Sequence, residues 1–326
     1  MAGVSYVVTI YNKAPYLPAM LDALAGQAGD FERQFIFVDD GSTDGGLDIL
    51  RARTAGWRNA TILVQANAGP SIATNAGIAH ARLPFLKPVD GDDLLVPQAT
   101  RLLLDGIDRT AAGLVFGRYG HYDAGGGAPA DRGHAAVEDA AAIPVADALA
   151  LAITSVPFNP TQILVRTELV RRVGGCDEGV FAQDYSLALR LANATGFQRC
   201  DRIVSLVPRF IGARLSGNKA QMLHDTNLAL ARFLDQHPDL PVAYGRLAFR
   251  RAAGRALKWA RRDDARGVFS RELMLYWRSL LGLSRDLAGD VHRTCRTFRA
   301  SAEIRRMPSP APDSRRPTIE ARKKGG

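Results

Sequence analysis

The chain has 326 residues, 47% of them hydrophobic and 23% charged, with a formal net charge of +9. That composition, at a mean hydropathy of −0.08, excludes a wholly disordered chain, and no run reaches the ~18 uninterrupted apolar residues that a spanning helix requires. Cys176, Cys200 and Cys295 are scattered without CxxC spacing, which excludes a disulfide framework or a cysteine zinc cage and predicts reduced thiols in a cytosolic protein.

Residues 4–10 form an apolar, β-branched run that predicts a buried strand. With no basic segment ahead of it, a secretory signal is not expected. Tyr11-Asn-Lys-Ala-Pro15 then turns into a helix with Leu17, Met20, Leu21 and Leu24 on one face. A strand over 35–38 ends in the acidic turn Phe37-Val-Asp-Asp-Gly-Ser-Thr-Asp44, followed by a helix over about 47–52. Next come a strand over 61–64, the turn Asn67-Ala-Gly-Pro70 and a helix over 71–80. A strand over 84–87 ends in a second acidic turn, Pro88-Val-Asp-Gly-Asp-Asp93, before a helix over 98–107 and a strand over 113–119. Strands separated by helices in this way predict βαβ crossovers, hence an α/β fold with a mainly parallel central sheet flanked by helices. Ala124-Gly-Gly-Gly-Ala-Pro129 reads as a surface loop. No internal repeat is present.

Carboxylates at the carboxyl ends of two strands lie where open α/β sheets place ligands. Hard oxygen donors there suit a divalent cation bound to phosphate. Two familiar folds fail on the residues. A dinucleotide-binding fold needs a glycine-rich turn after the first strand, where Tyr11-Asn-Lys-Ala stands. A dehalogenase-type phosphatase needs an aspartate nucleophile where Val38 stands. The six histidines show no metal-ligand spacing.

Charge divides the chain. Residues 246–326 hold 21 Lys and Arg against 8 Asp and Glu, a net of +13, and residues 1–245 a net of −4. The basic region predicts helices over 244–260 and 270–283, the second with a stripe of Leu273, Tyr276, Trp277, Leu280 and Leu281. Two readings are open: a membrane-surface element, or helices packed on the body with solvated arginines outside. No nucleic-acid motif or aromatic platform accompanies the charge, so a nucleic-acid partner is not expected. From about 307 the tail is rich in Pro, Ser, Arg and Lys and is expected to be disordered.

Five motifs in order resemble family 2 glycosyltransferases of the GT-A fold, bacterial and non-processive in type. They are Val4-Ser-Tyr-Val-Val-Thr-Ile-Tyr-Asn12 with Lys13-Ala-Pro-Tyr-Leu17, the Phe37–Asp44 turn, Asn67-Ala-Gly-Pro-Ser-Ile-Ala-Thr-Asn-Ala-Gly77, Val89-Asp-Gly-Asp-Asp93, and the segment from Gly174 to Arg190 that holds Gln183-Asp184. The resemblance implies a GT-A domain over 1–240, with a nucleotide-binding half (1–120) and an acceptor half (121–240). A basic helical region (241–306) and the tail (307–326) follow.

The resemblance also implies roles. Thr9 and Tyr11 would line the base, Asp39 or Asp40 would accept hydrogen bonds from base or ribose, and Asn75 would belong to the nucleotide site. Asp39 and Asp40 read equally as an Asx turn with Ser42 and Thr43 capping the next helix. Asp92 would be the direct ligand of Mn²⁺ or Mg²⁺, with Asp90 sharing the metal or bonding ribose and Asp93 helping nearby. Asp184 would be the catalytic base, and it reads equally as a helix cap. Arg214 or Lys219 would clamp the diphosphate, or they are solvated loop charges. Three positions depart from the family pattern: Gln183 where Glu is usual, Thr74 where Arg is common, and Arg214 near a common His. The pattern of processive polysaccharide synthases is absent.

The implied function is metal-dependent, inverting transfer of one sugar per encounter from a nucleotide-sugar to a hydroxyl of a saccharide or lipid-linked acceptor. The setting would be cell-surface polysaccharide synthesis, in the cytoplasm or peripheral at the inner face of the membrane. The alternative is a non-catalytic scaffold that binds nucleotide or acidic lipid through a degenerate GT-A fold.

Overall fold

Continuous apolar runs mark strands covered on both faces, and four of them assemble the first half of the protein. The computed structural model describes residues 2–108, 112–123, 142–209, 218–262, 270–301, 304–305 and 318–319. β1 (Gly3–Ile10), β2 (Glu32–Asp39), β3 (Ala60–Val64) and β4 (Phe85–Asp90) are joined through α1 (Leu17–Ala25), α2 (Gly46–Thr54) and α3 (Pro70–His80). They pair in parallel in the spatial order β3-β2-β1-β4. Alternate residues of β1 face opposite sides, as the pleat requires. Tyr6, Val8 and Ile10 pack with α1, whose Leu17, Met20, Leu21 and Leu24 are all buried, while Val7 packs under Ala73 and Ile78 of α3.

The sheet then changes character. After the short β5 (Leu94–Leu95) and α4 (Ala99–Asp108) come β6 (Leu114–Tyr122), β7 (Ala142–Pro144), α5 (Ala148–Thr154) and a single 3₁₀ turn, Pro160–Gln162. β8 (Ile163–Arg166), α6 (Thr167–Arg172), α7 (Gln183–Ala194) and β9 (Phe197–Pro208) complete this half. β8 runs antiparallel between β4 and β6, β6 and β9 are parallel, and β5 and β7 run antiparallel to β9. The sheet is therefore parallel through β4, as expected, and mixed beyond it. The glycine-rich stretch from Ala124 lies outside the described residues.

Four helices follow: α8 (Lys219–Gln236), α9 (Val242–Ala260), α10 (Arg271–Leu280) and α11 (Leu287–Ser301). Ala248, Phe249, Ala252 and Ala253 of α9 are buried in the same core as Tyr185 and Leu189 of α7, so the basic helices pack on the body. Sequence reading found neither α8 nor α11. Both bury polar side chains (His224, Asp225 and Asn227; Asp290, Thr294 and Thr297), which blurs the apolar periodicity that announces a helix. One part of the tail departs from the expected disorder: Thr318–Ile319 form β10, antiparallel to β3. The edge of β3 offers unpaired backbone groups that a short segment can satisfy whatever its composition. The rest of the tail, residues 307–317 and 320–326, lies outside the described residues.

Candidate active site

The strand order fixes what meets at the carboxyl end of the sheet. β1 lies between β2 and β4, and the register sets Ile10 opposite Asp39 and Thr9 opposite Asp90. Two acidic turns distant in sequence thus flank one strand end, as a ligand site in an open α/β sheet requires. Thr9 is half-buried between them, and Tyr11 stands at the mouth, 47% exposed.

The first turn divides its two aspartates. Asp39 accepts from the N–H groups of Gly41 (3.2 Å) and Ser42 (2.9 Å) through Oδ1, so the Asx turn is real. Its Oδ2 is buried with no partner, an arrangement native structures rarely leave without reason. Asp40 instead accepts from Gln65 Nε2 (2.8 Å) and from the N–H groups of Ala68 (2.8 Å) and Gly69 (2.9 Å). Burial raises its pKa and these three donors oppose the rise. Asp40 orders the turn into α3, which leaves Asp39 as the carboxylate open to a ligand. Ser42 and Thr43 do not cap α2. They join Asn12, Ser42 Oγ accepting from its N–H at 3.0 Å and Thr43 N–H donating to its Oδ1 at 2.8 Å.

Asn75 of α3 bonds to the loop that precedes α7. Its amide donates to the Cys176 carbonyl (3.0 Å) and Glu178 (2.9 Å), and its Oδ1 accepts from the Cys176 N–H (2.8 Å). These bonds tie α3 to the 174–178 loop and engage both ends of the side-chain amide. Arg214 lies outside the described residues. Lys219 is exposed at the start of α8.

The second turn gathers three carboxylates. Gly91 passes so close to β1 that a Cβ there would meet the Thr9 carbonyl oxygen at 2.9 Å. Gly91→Ala should therefore lower stability by about 1–3 kcal/mol and weaken donor binding, because it displaces Asp90 and Asp92 on either side. Urea unfolding and donor titration would measure both, and a fully stable variant would show that the turn yields. Asp92 is buried, bonded to Lys13 Nζ at 2.5 Å, and its carbonyl accepts from the Tyr122 hydroxyl at 2.7 Å. Asp93 accepts from Thr161 Oγ1 at 2.6 Å, and the same Oγ1 accepts from the Asp90 N–H at 3.1 Å. Beneath them lies Lys87, fully buried, donating to the carbonyls of Thr161 and Ile163. Burial pulls its ammonium down to about 7 against the opposing charge of Asp93.

Asp184, in the first turn of α7, completes the cluster. Burial first, then the charges of Asp93, Asp92 and Asp184, push Asp90 well above the usual carboxylate range, and Lys13 opposes them. Asp184 is also raised by burial, with its Oδ1 accepting from the Tyr185 N–H at 2.8 Å. Gln183 bridges the two halves: its amide nitrogen reaches Asp90 at 3.5 Å, and its carbonyl oxygen accepts from the Thr74 hydroxyl. Two of the three positions that depart from the family pattern thus satisfy each other. Lys13, Thr161 and Lys87 were not singled out from sequence. Lys87 carried a signal, a lone lysine inside an apolar strand, whereas Thr161 comes near only through the β4–β8 pairing.

No group of three His, Cys, Asp or Glu side chains forms a metal cage among the described residues. A hard cation that keeps water and phosphate oxygens needs only one or two protein carboxylates, and like charges crowded around Asp90 are a place where a cation relieves repulsion. The donor set fits such a cation.

The sequence model described as glycosyl transferase family 2 matches residues 5–173, more than half the chain. The chain belongs to glycosyltransferase family 2. Glycosyltransferase GlyG of Streptococcus pneumoniae serotype 4 is 32% identical over 121 residues, 37% of this chain and 40% of GlyG. The chain thus aligns with less than half the length of that relative. The fold superposes on S. aureus TarS 1–349 in complex with UDP-GlcNAc with a TM-score of 0.61 at 17% identity, covering 94% of this chain and 93% of that one. Mannosyltransferase PcManGT from Pyrobaculum calidifontis, in complex with GDP-Man and Mn²⁺, superposes with a TM-score of 0.50 at 18% identity, covering 91% and 86%. At these identities the likeness shows the GT-A fold expected from the motifs.

In this family 2 protein the loop before Asp184 is held from behind. Asp177 pairs with Arg232 of α8 at 2.6 and 2.9 Å. Although burial works the other way, the Arg232 and Gly179 hydrogen bonds hold its pKa below the ordinary value. Asp225, buried on α8, accepts from the Phe181 N–H (2.9 Å), Gln221 (3.0 Å) and His224 Nδ1 (2.7 Å). Arg299 of α11 donates to His224 Nε2 at 2.9 Å, which leaves Nδ1 to face Asp225. Asp225→Ala should cost about 2–4 kcal/mol, because two buried donors and one part-buried donor lose their acceptor. Thermal melting would measure it, and an unchanged melting temperature would show that water replaces the carboxylate.

Proposed function

We propose that the protein is a metal-dependent, inverting glycosyltransferase that moves one sugar from a nucleotide-sugar donor to a hydroxyl of a saccharide or lipid-linked acceptor. The convergence of Asp90, Asp92, Asp93 and Asp184 beside Lys13 at the carboxyl end of the sheet carries the reading. Asp39 Oδ2 receives a hydrogen bond from base or ribose, and Tyr11 and Thr9 line the base. Asp92, with Asp90, would hold Mn²⁺ or Mg²⁺, which when bound would supply Lewis-acid neutralisation of charge on the departing diphosphate. Asp184 takes the proton from the acceptor hydroxyl. The acceptor oxygen bonds the anomeric carbon as the bond to the diphosphate oxygen breaks, and that electron pair leaves with the diphosphate. Lys13, paired with Asp92 at 2.5 Å, would add positive charge on the same side of the site. We place the reaction in cell-surface polysaccharide synthesis, in the cytoplasm and peripheral at the inner face of a membrane. No helix among the described residues is long and apolar enough to cross one.

Thermal shift with UDP-, GDP-, CMP- and dTDP-sugars, each with Mn²⁺ and with EDTA, tests the proposal. A metal-dependent rise with one nucleotide supports it and names the donor. A flat response across the panel overturns it and favours a non-catalytic scaffold.

A further inference from the structure

Exposed large apolar side chains are unevenly spread. Eleven occur among the described residues, and five of them, Met274 (61% exposed), Trp277 (54%), Leu280, Leu281 (65%) and Leu283 (60%), fall in α10 and the turn after it. An ordinary surface helix turns such residues inward. α10 instead buries Glu272, Leu275 and Ser279. Its inward polar groups are matched: Glu272 accepts from Thr297 Oγ1 at 2.9 Å, and Arg278 reaches the fully buried Asp290 at 3.0 Å. The helix is therefore locked with Met274, Trp277 and Leu280 outward, while Leu275 and Tyr276 pack against the core. Beside that face runs a groove of about 430 Å³ lined by Leu257, Leu273, Tyr276 and Trp277, with Lys258 and Arg261 among its walls. Arg262 lies over the Trp259 ring at 5.0 Å nearby.

We infer that this face seats the protein on an anionic lipid bilayer. Trp277, Leu281 and Leu283 enter the boundary between headgroups and acyl chains, and Lys258, Arg261 and Arg262 meet the anionic headgroups. Charge decides the occupant. Residues 246–326 carry a net of +13, so a second copy would bring like charge against like, whereas an anionic surface neutralises it. The inference deepens the membrane-side reading above by naming the residues that make the contact, and its test reads binding without reading transfer.

The full chain is mixed with phosphatidylcholine vesicles, with and without phosphatidylglycerol, sedimented, and followed by tryptophan emission. The expected result is co-sedimentation and a blue shift with phosphatidylglycerol only, both reversed by high salt. The double variant Leu281→Ser/Leu283→Ser and the double variant Lys258→Glu/Arg261→Glu should each weaken partitioning by about ten-fold or more. All four positions are exposed, so melting temperatures should hold. Failure of the full chain to sediment, or sedimentation of both variants like the unaltered chain, overturns the inference. A dimer in solution that Leu281→Ser/Leu283→Ser dissociates, without vesicle binding, overturns it in favour of a second copy. A chain that binds vesicles but no nucleotide-sugar keeps this inference and overturns the transferase reading; the reverse pattern does the opposite.

Discussion

Asp184→Asn should lower sugar transfer by about 10³-fold, or ~4 kcal/mol of barrier, with donor binding unchanged. Asparagine keeps the size of the side chain and still offers an acceptor to the Tyr185 N–H, so α7 should form as before. What it removes is the carboxylate proposed to take the acceptor proton. Single-turnover transfer beside donor titration separates the two effects. A variant that transfers at the original rate would leave Asp184 as a helix cap and nothing more.

The same residue sets a pH dependence. A base works only when deprotonated, and burial raises the Asp184 pKa. Activity should therefore be lost as pH falls through that raised value, with the acid limb above the ~3.9 of a free aspartate. The residual rate of Asp184→Asn should lack that limb. If the limb persists unchanged in the variant, it belongs to another group, and Asp90, which is also raised, is the next to replace.

Asp92→Ala should weaken donor binding in Mn²⁺ by about 10²-fold, since a cation at a diphosphate supplies several kcal/mol, and should abolish the difference between Mn²⁺ and EDTA. The variant also frees Lys13, whose ammonium is paired with Asp92 at 2.5 Å. Some metal-independent affinity for the diphosphate should then appear and fall with salt. Calorimetric titration of donor at several Mn²⁺ concentrations checks both. Metal dependence identical to that of the unaltered chain would move the cation away from Asp92.

The first half of the protein was legible because its signals are local. The apolar run at 4–10, the helical spacing of Leu17, Met20, Leu21 and Leu24, and an acidic turn after each of two strands follow from side-chain periodicity and turn chemistry, which act over a few residues. The motifs then named the family, and the fold agrees with it. Sequence also placed Asp90, Asp92 and Asp184 in their motifs, and the fold brings their charges together.

Assignments that depend on who neighbours whom were not legible. Asp39 and Asp40 are adjacent and alike, and only the long-range bonds of Gln65, Ala68 and Gly69 to Asp40 leave Asp39 with the open oxygen. Asn75 fits a nucleotide-site motif, and a contact 101 residues away engages it. Lys87 and Thr161 join the acidic cluster because β8 inserts antiparallel beside β4, a pairing no local pattern records. The outward face of α10 has the same origin. Its stripe is plain in the sequence, but the polar anchors on α11 decide that Trp277, Leu280 and Leu281 face away from the core while Tyr276 packs against it. Local periodicity determines which elements form and which residue types they carry; long-range packing and hydrogen bonding decide which of those residues remain open to a ligand.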